Sequence, residues 1–317
     1  MPSKSAKGCE WSWGLSREQW LELRHQDVTS TEVSAIFGGS PYLSMFELYH
    51  QKIADEPTMI EENERMKWGK MLEPIIAEGV AKERSIQIKA LEGCYARDPE
   101  ARMGASFDYA ILSEANPGKS EGILEIKNVD GLVFRNKWED GDPPPHIEMQ
   151  VQYQLEITGM RYALLAALVG GNHLHVVRID RNTEMGSAMR TAVARFWEMV
   201  DAKNEPEPVY EQDAQRIIDM LVSVKEGLEV NLTTNLEATG LAQEYAEARD
   251  AEKEADQKKK VAKAKLLELL GPAQTAYLNG YKVKCKQVEP FEGIAAKPGE
   301  LVGKRRGYRT FNLNETS

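Results

Sequence analysis

Two short apolar runs joined by a polar turn constrain this chain more than any other stretch. Ser106-Phe107-Asp108-Tyr109-Ala110-Ile111-Leu112 leads into Ser113 to Glu121, which holds Asn116, Pro117, Gly118 and Ser120, and then into Gly122-Ile123-Leu124-Glu125-Ile126-Lys127-Asn128. Turn residues between two such runs predict a β-hairpin. A strand has period two, so Leu124 and Ile126 share a core-facing side while Glu125 and Lys127 share the other. An unpaired charge inside a sheet is costly. A bound metal ion makes the charge intelligible. Asp108, on the partner strand, supplies a second carboxylate, and hard divalent ions such as Mg²⁺ take oxygen ligands of this kind.

The segments around the hairpin are mostly helical. Ser16-Arg17-Glu18-Gln19 reads as a capping box that opens a short helix through Trp20 and Leu23 and ends near Arg24. Thr29-Ser30-Thr31-Glu32 reads as a second box before Val33, Ile36 and Phe37, and Ser44 starts a third helix with Phe46, Leu48, Tyr49 and Ile53 as its apolar side. From Glu61 to Glu83 one long helix is expected. Trp68, Leu72, Ile76 and Val80 form its buried stripe, with Glu73 at the edge of that stripe. Ile86-Gln87-Ile88 reads as a strand leading toward the hairpin. After Pro143-Pro144-Pro145 a helix runs from about His146 to Thr158. Tyr162 to Val169 and Leu174 to Ile179 form a second hairpin around Gly170-Gly171-Asn172, and Ala188 to Val200 forms an amphipathic helix.

Composition shifts at Asn204-Glu205-Pro206-Glu207-Pro208, which reads as a linker. Acidic helices follow over Gln212 to Leu228 and Leu236 to Leu270, either as a solvated arm or as an oligomerisation arm. Gly280 to Val288 alternates like a half-exposed strand, with Tyr308 to Leu313 as its partner and Lys304-Arg305-Arg306 just before it. This lysine-coated hairpin is read equally as a nucleic-acid contact and as a protected sheet edge. The expected organisation is a disordered arm at 1–14, a core at 15–203, a helical arm at 209–270 and a β-hairpin segment at 271–317.

Several classes are set aside by composition. No apolar run approaches the length that spans a bilayer, and the N-terminal residues lack a signal-peptide h-region, so a cytoplasmic protein is expected. The three cysteines, Cys9, Cys94 and Cys285, form no C-x-x-C pair, which argues against a zinc knuckle or a cysteine-ligated cluster. His173 and His175 share a strand face, but two histidines without a third ligand more often line an exposed face than hold zinc. The formal net charge of -10 argues against indiscriminate nucleic-acid binding, though a basic groove on an acidic body remains compatible with it.

Asp108 followed by Glu125-x-Lys127 at the end of a hairpin resembles the PD-(D/E)XK nuclease motif, with Phe107 where the usual proline stands. Further motifs, in order, resemble the lambda-exonuclease/YqaJ-type viral recombinases: Trp20 and Leu23-Arg24, Thr29 to Val33, Trp68-Gly69-Lys70 with Glu73, the hairpin, and Gln150-Val151-Gln152-Tyr153. The resemblance implies an α/β fold, a restriction-endonuclease-like core to which this chain adds a C-terminal helical and small β extension. It implies a Mg²⁺-dependent enzyme, with Mn²⁺ as a substitute, that digests linear double-stranded DNA 5′ to 3′ and leaves a 3′ single-stranded tail for phage-type recombination.

In that picture Asp108, Glu125 and the Ile126 carbonyl hold one ion, and Glu73 joins Asp108 at a second. Lys127 positions and deprotonates water or stabilises the pentacovalent charge, and Gln150 orients water or a phosphate oxygen, with Gln152 as its neighbouring alternative. Arg24, Thr31 and Ser106 take the terminal 5′-phosphate. From the residues alone, Arg24 also reads as a surface ion-pair residue, Thr31 as a helix cap and Glu73 as a solvated glutamate. The implied partners are DNA ends and a single-strand annealing recombinase, in a bacterial cell carrying a phage or prophage. A homo-oligomer is left open. A restriction-like or structure-specific endonuclease, and a non-catalytic DNA-binding assembly protein, are the competing readings.

Overall fold

The structure, a computed structural model, describes residues 8–58, 62–116, 119–221, 226–279 and 281–285. The chain divides into two compact units, Met1–Arg216 and Ile217–Ser317. In the first unit the elements run β1 (Glu10–Ser12), α1 (Arg17–Gln26), β2 (Val28–Thr29), α2 (Val33–Ile36), α3 (Met45–Ile53), α4 (Glu64–Arg84), β3 (Ile88–Ala90), β4 (Tyr95–Asp98), β5 (Met103–Ala105) and β6 (Tyr109–Leu112). They continue with β7 (Ser120–Val129), α5 (Gly131–Lys137), α6 (Pro145–Thr158), β8 (Tyr162–Val169), β9 (His173–Asp180) and α7 (Thr183–Asp201), and α8 (Tyr210–Met220) runs across the boundary into the second unit.

The main sheet has the order β3-β6-β7-β8-β9, with β7 and β8 parallel and the other pairs antiparallel. β7 is therefore the central strand, and both its faces are covered. Leu124 and Ile126 pack with Ile111 and Ala166 against Ile76, Ala77 and Val80 of α4. On the other face Ile123, Leu165 and Ala167 join the larger core, which includes Val151, Leu155 and Ile157 of α6 and Phe196 of α7. The result is a mixed α/β architecture, a sheet sandwiched between helices, as the resemblance implies.

A smaller sheet, β1-β4-β5-β2, brings the N-terminal segment alongside the main one. Its β2 and β5 are parallel, setting Val28 beside Met103 and Thr29 beside Gly104. Gly104 has no room for a side chain, since a Cβ would overlap the Tyr95 hydroxyl. β5 therefore passes directly over the buried Tyr95.

Several local expectations hold. Ser16 and Gln19 close both bonds of a capping box, Ser44 caps α3, and the β8–β9 hairpin forms around Gly170 and Gly171. Others are corrected. Thr29 does not cap a helix. It pairs in β2, and its backbone N–H donates to Glu32 Oε2 at 2.9 Å. The stripe of α4 begins at Leu72, because the helix meets the sheet only from there. Trp68 is 50% exposed and its indole N–H donates to Glu64. Ile53, assigned to the apolar side of α3, is exposed. The strand before the hairpin is Ile88–Ala90 rather than Ile86–Ile88. Pro145 opens α6 instead of merely preceding it, as suits a residue with no N–H to satisfy in a first turn.

α8 ends at Met220 rather than Leu228, with residues 222–225 outside the described residues. Asp213 is buried and bonded to Ser44 at the start of α3, so residues 209–216 pack with the core. In the second unit α9 (Leu236–Leu270) has no buried residue and carries i,i+4 pairs such as Lys258–Glu254 and Lys260–Asp256. β10 (Thr275–Leu278) pairs with β11 (Tyr281–Lys284). The partner expected for that strand, Tyr308 to Leu313, lies outside the described residues, as do Lys304 to Arg306. Among the described residues no helix is long and apolar enough to cross a membrane.

Candidate active site

The acids converge because of strand register. Tyr109 pairs with Leu124, so one step further along the antiparallel ladder Asp108 stands opposite Glu125. The Asp108 carboxylate accepts the Ile126 backbone N–H at 2.7 Å. In a strand the N–H and C=O of one residue point the same way, so the Ile126 carbonyl also faces the Asp108 side. Glu125 is 3% exposed and takes three side-chain hydrogen bonds. Lys127 Nζ donates to Oε1 at 2.7 Å, Gln150 Nε2 to Oε1 at 2.6 Å and Gln154 Nε2 to Oε2 at 2.8 Å. Lys127 also donates to Gln150 Oε1 at 3.1 Å. A buried carboxylate is tolerated when it is paired and hydrogen-bonded in this way.

The electrostatics are those of crowded acids around one cation. Burial, then the charge of Glu125, pushes the Asp108 carboxyl well above the usual range, against the pull of Lys127. Glu73, on α4, is raised by burial and by the charges of Glu125 and Glu92. For Lys127 burial acts downward, but Glu125 and Asp108 outweigh it and hold the ammonium above its ordinary value. Among the described residues no three His, Cys, Asp or Glu side chains form a group able to hold a metal ion. The oxygens gathered by the strand register are the Asp108 and Glu125 carboxylates beside the Ile126 backbone, with Glu73 on α4 sensing the charge of Glu125. That set fits Mg²⁺, which is held by one or two carboxylates and keeps several waters. The mutual repulsion of the acids is what a divalent cation relieves.

α6 supplies the amides. Gln150 and Gln154 are four apart and reach the same carboxylate from one helix face. Gln152 points elsewhere. It donates to the Asp180 carbonyl and accepts from Asn182 N–H, holding the start of α7. The geometry thus separates Gln150 from its neighbouring alternative. Gln154, absent from the sequence reading of the site, is the residue that links two clusters, since its amide also donates to the Ser106 carbonyl at 3.0 Å. Its signal was the four-residue spacing from Gln150.

Ser106 opens the second cluster. Trp20 Nε1 donates to its hydroxyl at 2.8 Å, and the Arg24 guanidinium lies 4.6 Å from the Trp20 ring centroid. Arg24 Nη2 donates to Thr31 Oγ1 at 3.3 Å, and the Thr31 and Thr29 hydroxyls are 3.2 Å apart. Arg24, Thr31 and Ser106, distant in sequence, thus meet around Trp20, because β2 runs beside β5 and α1 leads into β2. Thr31 caps no helix: α2 is capped by no side chain. Arg24 is an ion-pair residue, 3.7 Å from Glu32, but a largely buried one. Glu32 is shared with Lys52 at 2.9 Å, and although burial opposes it, Lys52 and Arg24 keep this acid below its usual range. Two cations around one carboxylate leave net positive charge beside the hydroxyls, as an anion site requires.

The paired histidines are not a metal site in this geometry. The His175 ring bonds the Gly141 carbonyl and packs edge-on against Phe134 and Trp138, while His173 is exposed.

Asp108 opposite Glu125 on the central strand, with Lys127 beside it and helix glutamines bracing it, is the arrangement that the PD-(D/E)XK resemblance implies. More particularly, residues 19–161 match the model of the YqaJ-like viral recombinase domain. It is 28% identical over 200 residues to the uncharacterized protein YqaJ of Bacillus subtilis (strain 168), covering 62% of this chain. It spans only 60% of the length of that relative. Among solved structures it is similar to an alkaline exonuclease, LHK-Exo, from Laribacter hongkongensis, at 22% identity and a TM-score of 0.49, over 63% of this chain and 99% of that one. A phage-related exonuclease from Haemophilus somnus 129PT aligns at 12% identity and a TM-score of 0.37, over 58% of this chain and 99% of that one.

Proposed function

We propose that this protein is a metal-dependent exonuclease that digests linear double-stranded DNA from a 5′ end and leaves a 3′ single-stranded tail. The observation that carries the reading is the buried Glu125 carboxylate, held by Lys127, Gln150 and Gln154 directly opposite Asp108. A sheet interior keeps so polar a cluster at a cost in stability, and phosphodiester hydrolysis gives it a purpose. A Mg²⁺ or Mn²⁺ ion bound by Asp108, Glu125 and the Ile126 carbonyl supplies Lewis-acid chemistry at the phosphate. Lys127 places its ammonium beside those acids, where it steadies negative charge developing on the phosphate. Gln150, bonded to both Lys127 and Glu125, fixes the lysine's direction. Glu73 would join Asp108 in holding a second ion.

The phosphate cluster makes the reading an exonuclease reading. Arg24, with the Thr31 and Ser106 hydroxyls, is assigned to a terminal 5′-phosphate, which exposes more charge and more oxygen than an internal diester. The role proposed is phage-type recombination in a bacterial cytoplasm, beside a single-strand annealing partner, a reading supported by the match of residues 19–161.

The test is the ratio of initial rates on 5′-phosphorylated and 5′-hydroxyl linear duplex, taken at one salt concentration because phosphate contacts are salt-dependent. Wild type is expected to prefer the phosphorylated end by about tenfold, the worth of one charged hydrogen bond. Arg24→Ala brings the ratio toward one, and Arg24→Lys restores it only in part because the bidentate fork is lost. An equal rate on both ends for wild type, or an unchanged ratio in Arg24→Ala, removes Arg24 from end recognition and favours an endonuclease.

A further inference from the structure

Beside the acid site, a row of aromatic rings runs from Phe107, the neighbour of Asp108, through Trp11 on β1 to Trp13, and neither the acid site nor the phosphate cluster uses it. Phe107, next to Asp108, is buried against the Trp11 ring, with centroids 5.2 Å apart. Trp11 in turn stacks on Trp13, centroids 5.7 Å apart and planes 20° from parallel. The row runs outward from the core, and Trp13 at its end is 49% exposed. Burial therefore does not explain this indole, the largest apolar side chain available. Its rigidity is explained, because Trp11 and Phe107 hold it from behind.

The cation beside it comes from the same place in the fold. Lys89 Nζ lies 5.2 Å from the Trp13 ring centroid. That is a loose cation–π distance, so the exposed ammonium is available to a phosphate. Lys89 sits on β3 opposite Ala110, and two residues later Leu91 N–H donates to the Asp108 carbonyl at 3.0 Å. Aromatic ring and lysine are thus both tied to the backbone on either side of Asp108.

A braced, half-exposed indole with an adjacent ammonium is the arrangement that takes one nucleotide of a single strand. The base stacks on the ring and its phosphate pairs with the cation, without regard to sequence. We propose that Trp13, backed by Trp11 and Phe107 and flanked by Lys89, is a stacking platform for an unpaired base of single-stranded DNA beside the Asp108 strand. This deepens the nuclease reading and rests on it for the identity of the ligand. The platform selects an unpaired base because bases within a duplex have both faces covered.

The experiment measures binding without turnover. A fluorescein-labelled oligothymidylate of about ten nucleotides is titrated with the full chain in EDTA, followed by anisotropy. Trp13→Ala is expected to bind about tenfold more weakly than wild type, the loss of one base–aromatic stack. Trp13→Phe retains most of the affinity. Lys89→Ala weakens binding and reduces the slope of log affinity against log salt by about one contact. Wild-type affinity in Trp13→Ala, or an equal loss in Trp13→Phe, overturns the platform. The nuclease reading fails separately: a wild type that digests no DNA with Mg²⁺ but shows Trp13-dependent binding leaves the platform standing and removes the enzyme.

Discussion

Asp108→Asn is expected to lower Mg²⁺-dependent cleavage by at least about a hundredfold while leaving thermal stability unchanged or slightly raised. The loss follows from removing one of the two carboxylates proposed to hold the ion, whose charge stabilisation would be worth several kcal/mol in the transition state. The stability expectation follows from the same site in the absence of metal. Asp108 is crowded by Glu125 and Glu73, and its one short bond, from Ile126 N–H, is kept by the asparagine oxygen. Glu125→Ala is expected to abolish cleavage too, but at a different cost. Three donors, Lys127 Nζ, Gln150 Nε2 and Gln154 Nε2, lose this acceptor, though Lys127 keeps Gln150 Oε1 and Gln154 keeps the Ser106 carbonyl. Leaving buried donors unpaired costs about 1–3 kcal/mol each unless water enters, so this variant should unfold at lower denaturant. Initial rates on linear duplex and urea unfolding, measured on both variants, check the pair. Near-wild-type cleavage by Asp108→Asn contradicts the acid site, and equal stabilities contradict the assignment of Glu125 as the buried hub.

Lys127→Ala should lose turnover and keep DNA. Its ammonium is bonded to Glu125 and Gln150 and lies only partly exposed, so it faces the reacting groups rather than the bulk. A donor placed where charge develops is worth about 10²–10³ in rate, whereas one phosphate contact among many changes affinity little at physiological salt. Single-turnover rates in Mg²⁺ beside DNA binding in Ca²⁺ separate the two. A fall in affinity that accounts for the whole fall in rate makes Lys127 a backbone contact instead.

The central strand was legible because its signal is local. Period two alone places Glu125 and Lys127 on one face, and the turn residues between Leu112 and Gly122 set the hairpin that brings Asp108 across. What stayed hidden depends on how elements meet. Gln154 is four residues from Gln150, yet a helix glutamine reads as surface until α6 is laid on the sheet. Trp68 continues a four-residue repeat that the sequence extends past the point where α4 leaves the strands, so it was assigned to a core it does not reach. Thr29 carries a capping signature, but parallel pairing with β5 takes its backbone into a strand. Ser106 and Arg24 came together through family resemblance. Locally nothing joins residues so far apart, and the physical link is Trp20, which donates to one and stacks beneath the other.

The most direct test of a metal-dependent exonuclease is digestion of an end-labelled linear duplex beside a covalently closed circle of the same sequence, each with Mg²⁺ and with EDTA. Linear duplex with Mg²⁺ should be consumed from its 5′ ends, leaving 3′ single strands, while the closed circle and both EDTA reactions stay intact. Cutting of the closed circle contradicts the exonuclease reading, and digestion that persists in EDTA contradicts the assignment of Asp108 and Glu125 to a metal ion.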